Sequence, residues 1–296
     1  MTDQTRKTSS DHLPEVPSAH QVAGHLGHHG LRRPSRLLSW LPLAAIVAVF
    51  VLSMTVRHVV TLIVPWLVLV GILAFGYGWR RWLGHLEQRV TRAQELSMMR
   101  YHREALYAAW RLLPRVTTVP GMHGRVLTVL AHCLDQFKAY DAAIVAYDGL
   151  IEWLPPQHPG TVQLRIQRAI AQLQCGQLLD ADDALRGLRG AVGTIGHTVT
   201  AAGFCLARLI QQVRTHHYAD AVESAPMLLD NLRPLGVEAA YGHALMALSY
   251  SHLADPAAAR HARMWWSRAT LMIPAVALVD RFAELDRLPA LNRAGG

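Results

Sequence analysis

The chain has 296 residues, 51% of them apolar, with a formal charge of +8 and a pI near 9.9. That charge suggests a nucleic-acid binder until it is placed along the chain: residues 83 to 296 hold 21 Lys and Arg against 18 Asp and Glu, so most of the excess lies before them. Cys133, Cys175 and Cys205 are an odd number, widely spaced and without a CxxC pair, which argues against a disulfide framework and against a zinc or redox motif.

Residues 1 to 36 are rich in Ser, Thr, His, Gly and Pro and poor in aliphatics, and are expected to be disordered. His25, His28 and His29, with His20 nearby, raise a metal-sensing alternative, since imidazoles at short spacing can share a zinc or nickel ion. Gly24, Gly27 and Gly30 argue against a preformed cage, and no Cys or carboxylate completes it.

Residues 37 to 82 read as a two-helix transmembrane hairpin. The segments 37–56 and 59–79 each have the roughly 20 apolar residues that a hydrocarbon core requires, with only Arg57 and His58 between them. Arg32, Arg33 and Arg36 precede the pair and Arg80, Arg81, Arg89 and Arg92 follow it, so the positive-inside rule places both termini in the cytoplasm. The expectation is a multi-pass protein of a bacterial-type inner membrane, with the lipid bilayer as one partner. A secretory signal peptide is the competing reading, disfavoured because the apolar run begins 36 residues in and a second follows at once.

Residues 83 to 288 show helical spacing and almost no strand alternation, and residues 289 to 296 read as a loose tail. Ala105, Ala143, Ala181, Ala221 and Ala259 recur at intervals of 38, 38, 40 and 38, and a large apolar residue, Leu112, Leu150, Leu188, Leu228 or Trp266, follows seven positions after each. A small residue and a large one on the same helical face suit a close crossing, and five repetitions indicate stacked helical hairpins.

The second unit carries both halves of a recognisable pattern. Leu127, Leu130, Ala131 and Leu134 form a 3-1-3 stripe, Phe137 to Tyr140 make a turn, and Ala143, Tyr147, Leu150 and Pro155 follow. In these residues the chain resembles the tetratricopeptide repeat (TPR) family, as a divergent relative with a period longer than the usual 34. The resemblance spans about residues 86 to 275 and loosens outside the second unit. In the fourth, Pro226 falls inside the second helix and should kink or end it early. Residues 276 to 288 read as a final capping helix. The fold class is therefore all-α: a membrane hairpin followed by an α-solenoid of about five TPR-like hairpins.

No HExxH, Walker, GxGxxG or GxSxG motif is present, so neither a catalytic group nor a cofactor is assigned. His216 and His217 read as an exposed turn, and Asp180, Asp182 and Asp183 as charges suited to a helix N-terminus. The TPR resemblance implies protein binding on a face lined by the first helix of each hairpin. In the second unit Arg125, Thr128, His132 and Asp135 lie off the apolar stripe and are the candidate partner-binding residues. The resulting expectation is a scaffold, not an enzyme, that recruits an unidentified protein or peptide; self-association into a homo-oligomer is the alternative.

Overall fold

The computed structural model describes residues 16–29, Val47, 60–154, 159–195 and 198–288. Among these every regular element is a helix. The chain divides into two compact units, Met1–Trp153 and Leu154–Gly296.

In the first unit a short helix α1 (Ala19–His29) precedes a 39-residue helix α2 (Val60–Met98), then α3 (His102–Leu112), α4 (Pro120–Gln136) and α5 (Tyr140–Trp153). Each packs on its successor from α2 onward, α2 also touches α4, and α1 lies on α5. Thus α2–α3 and α4–α5 are helical hairpins laid side by side. The 3-1-3 stripe explains the docking of α4, because Leu127, Leu130, Ala131 and Leu134 are all fully buried, with Tyr147 and Leu150 of α5 closing over them. Each of those leucines contributes roughly 1.5–3 kcal/mol on leaving water.

The second unit continues with α6 (Pro159–Gln174), α7 (Leu178–Ile195), α8 (Thr198–Arg214), α9 (Tyr218–Glu223), α10 (Ala225–Leu232), α11 (Ala239–Ser251), α12 (Pro256–Met272) and α13 (Ala275–Arg281). The pairs α6–α7, α8–α9 and α11–α12 form hairpins, and α8 packs on α6, α7 and α11. The stripes Ile166, Ala169, Ile170, Leu173 and Leu206, Leu209, Ile210, Val213 are buried in one core with Trp265 and Trp266. Pro226 acts as its chemistry dictates: α9 stops at Glu223 and α10 restarts at Ala225. The capping segment is a short helix and a 3-10 turn (Ala283–Arg287), with Leu278, Phe282 and Leu285 buried.

The hairpins share one turn. Arg100, Lys138, Gly176 and His216 have φ of 64, 60, 86 and 61°, and stand five residues before Ala105, Ala143, Ala181 and Ala221. At Lys138 the N–H donates to Asp135 O at 3.1 Å while the Ala139 N–H donates to Leu134 O at 2.9 Å, and the same pair of bonds recurs at Arg100, Gly176 and His216. This is the Schellman closure, in which a left-handed residue satisfies the last carbonyls of one helix as the next begins. The fifth hairpin differs: the Asp255 carboxylate accepts from the Ala257 N–H at 2.9 Å, ahead of Pro256. The register moves with it, so Ala258 and Ala262 are buried and Ala259 is exposed.

Two expectations change. The segment at residues 16–29, read as part of a disordered tail, contains a helix with a capping box: Ser18 N donates to Gln21 Oε1 at 2.9 Å, and Gln21 N to Ser18 Oγ at 3.3 Å. The multi-pass inner-membrane localisation with both termini cytoplasmic is also corrected, because among the described residues no helix is long and apolar enough to cross a membrane. The second predicted span does not end near Trp79 as a hairpin leg would; it runs on as α2 through Arg80, Arg81, Glu87, Arg89 and Arg92 into the first repeat hairpin. The first predicted span, 37–56, lies outside the described residues except for Val47, as do Arg57, His58 and residues 289–296.

Candidate partner-binding surface

The four candidate residues sit on α4, but the structure gives them different tasks. The guanidinium of Arg125 is spread over α2: Nη1 donates to Glu87 Oε1 at 3.1 Å, Nη2 to Thr91 Oγ1 at 3.2 Å and to Gln94 Oε1 at 2.6 Å, and Nε to Gln94 Oε1 at 3.2 Å. Residues 87, 91 and 94 form one stripe of α2, so the planar fork of Arg125 ties the two first helices of adjacent hairpins together. The Thr128 hydroxyl turns back onto Gly124 O at 2.9 Å, and Asp135 is buried.

His132 is half-exposed, as is Arg125, while Thr128 is exposed. The His132 ring meets His102 of α3 edge-on, with centroids 5.6 Å apart. Burial, then the neighbouring His132 and Arg100, hold the His102 imidazole below its ordinary 6.5. The next residue along α4, Cys133, is fully buried beside Ser97, and burial pushes its thiol up to about 11 against the opposing Ser97 hydrogen bond. That suits a packed small residue, not a nucleophile.

The more open surface belongs to the second unit. A hollow of about 320 Å³ is lined by Leu178 and Asp182 of α7, Arg208 and Gln212 of α8 with Thr215 just after it, and His217 just before α9. A second, of about 340 Å³, is lined by Phe204, Cys205, Asn231 and Ser224 and shares Arg208 and Gln212 with the first. The two adjoin at Arg208 and Gln212, so that together they flank one face of α8 as a trough interrupted by these two side chains. Its polar wall is held in place: Asp182 accepts from Gln211 Nε2 at 2.5 Å and pairs with Arg186 at 2.6 Å, while Arg186 reaches Asp183 at 2.7 Å. The Gln211 hydrogen bond is the main cause of a lowered Asp182 pKa, followed among favourable contacts by Arg186. Trp265 and Trp266 are buried in the last hairpin, and so do not line a groove.

Among the described residues no group of three or more His, Cys, Asp or Glu side chains is arranged to hold a metal ion. The trough was missed in the sequence because Arg208, Gln212 and Thr215, though i, i+4 and i+7 on one face of α8 and its C-terminal cap, match no motif, and only packing brings the α7 and α9 residues against them. The α1 cap was legible, since Ser-x-x-Gln before an apolar position is a helix-start signal, but His and Gly dominate that segment's composition. No family model, curated protein or solved structure matches the chain.

Proposed function

We propose that this chain is a non-catalytic protein-interaction scaffold, a divergent TPR-like α-solenoid that holds a partner segment in the trough along α8. The observation that supports it is the combination of hairpins closed by one repeated turn with an open trough carrying Arg208, Gln212, Thr215 and His217. Amide, hydroxyl and guanidinium groups over a partly apolar floor suit a peptide main chain with small side-chain pockets. Of Arg125, Thr128, His132 and Asp135 on α4, Thr128 is exposed and Arg125 and His132 half-exposed, so these three are open to a partner of the first unit, whereas Asp135 is buried. A photo-crosslinker placed in turn at Gln212, Leu179 and Leu271 tests the trough. The reading expects one protein adduct at the first two positions and none at Leu271; adducts indifferent to position, or none, contradict it.

Self-association has an observation of its own. Trp66, Leu69, Val70 and Leu73 make an exposed apolar stripe on α2 at helical spacing. A second copy would cover it, and Leu69→Glu with Leu73→Glu would then shift sedimentation of a concentration-dependent oligomer to monomer. An unchanged sedimentation profile contradicts this second reading.

A further inference from the structure

The helix α1 occupies a notch built for a side chain. Leu26 Cδ1 lies 2.9 Å from where a β-carbon on Gly149 would stand, and Leu127 Cδ2 lies 3.6 Å from the same point. Gly149 is in the interior of α5, where glycine costs about 1 kcal/mol of helix stability relative to alanine. The missing side chain is what admits Leu26. On the other side His25 meets Trp110 of α3, with ring centroids 6.0 Å apart, and Val22, one turn earlier on the same helix face, is fully buried. The docked face is thus Val22, His25 and Leu26, an i, i+3, i+4 set, against Trp110, Leu127 and Gly149 from three successive helices.

The occupant is weak as a helix in its own right. It has 11 residues, two of them Gly24 and Gly27, and isolated helices of fewer than about 12–15 residues are marginal in water. Its order depends on the capping box and on this seat. A β-carbon added at Gly24 or Gly27 would meet nothing within 4 Å, so neither glycine is required by packing. They lower helix stability without a compensating contact.

We infer that the Trp110–Leu127–Gly149 notch is a docking groove for an amphipathic helix of a partner protein, and that α1 closes it in cis. This deepens the scaffold reading and rests on it. A tethered α1 competes at an effective concentration on the order of millimolar, so a partner helix must present a better helix former with two apolar residues four apart. The groove takes a helical ligand, unlike the trough on α8, and its control lies in the same chain.

The probe is a fluorescein-labelled peptide of residues 16–29, added to the full chain, to the Val22→Asp/Leu26→Asp chain, and to that chain with Gly149→Leu added. The expected result is binding about tenfold tighter to the doubly substituted chain than to the unsubstituted one, lost again when Gly149→Leu fills the notch. Equal affinity for the first two chains, or binding that survives Gly149→Leu, overturns the inference. A chain lacking residues 1–29 opens the groove by a second route, and circular dichroism checks that each variant is folded. A dimer of the unsubstituted chain formed by exchange of α1 would make a second copy the occupant and overturn the assignment to another protein. Loss of peptide binding together with retained adducts at Gln212 would defeat this inference alone, whereas loss of the adducts with peptide binding intact would defeat only the trough reading.

Discussion

Arg125 of α4 donates to Gln94 of α2 through two nitrogens, at 3.2 and 2.6 Å, and this one guanidinium also reaches Glu87 and Thr91. Its Nη1 is the cation of the ion pair with Glu87, whose side chain is 60% exposed, so the charge itself adds little. The fork geometry matters more. Arg125→Ala is expected to destabilise the first unit by about 1 kcal/mol after allowance for solvent screening, and Arg125→Lys to restore little, because an ammonium cannot span three acceptors. Urea denaturation checks both; full rescue by Lys would show that charge alone holds α4 to α2.

The repeated turn makes a second prediction with opposite signs at equivalent positions. Lys138 and His216 bear a left-handed conformation that costs a non-glycine residue about 1–2 kcal/mol, whereas Gly176 bears it freely. Gly176→Ala should therefore destabilise the second unit by about 1 kcal/mol, while Lys138→Gly stabilises the first by up to about 1 kcal/mol. Thermal melts of the two variants should move in opposite directions; a shared direction would contradict the common turn.

Acidification acts through two imidazoles, buried His243 and half-buried His102. His243 lies against Trp265, 5.2 Å between ring centroids, and burial followed by Arg268 lowers its pKa from the ordinary 6.5. His102 is lowered by burial, His132 and Arg100. A histidine whose pKa is lower in the fold binds fewer protons there than in the unfolded chain, so stability is lost as pH falls through about 6.5 and levels off below the folded value. Between pH 7.5 and 5.5 the melting temperature should fall, and His102→Gln with His243→Gln should flatten that slope. An unchanged slope would place the pH dependence on other groups.

Cysteine accessibility gives a probe of local opening. Cys133 is fully buried with its thiol pushed up to about 11, while Cys175 is partly exposed. At pH 8 iodoacetamide should alkylate Cys175 first and Cys133 only after unfolding, as read by peptide mass analysis. Early modification of Cys133 would mean that the α2–α4 contact opens readily.

The repeat was legible because a structural necessity recurs at a fixed interval. The alanines at 105, 143, 181 and 221 are fully buried where two helices meet, and the residue five positions before each is left-handed, a regularity that no residue type reveals because Arg, Lys, Gly and His all serve. The fifth unit escaped the register by one residue since Asp255 and Pro256 start its second helix by a different device. Long-range partners were the harder part. Nothing adjacent in sequence announces that Arg125 will be spent on α2, that Asp135 will be buried, or that Arg208 and Gln212 will face an open trough. The membrane-hairpin expectation treated residues 59–79 as an independent leg, whereas α2 carries straight through their end into the first hairpin.

Amide hydrogen exchange of the full chain, alone and with the partner captured at Gln212, tests the central claim most directly. Binding in the trough predicts added protection at its rim, residues 178–182 and 212–220, with α12 unchanged. Protection confined to α12, or none anywhere in the second unit, would contradict the account.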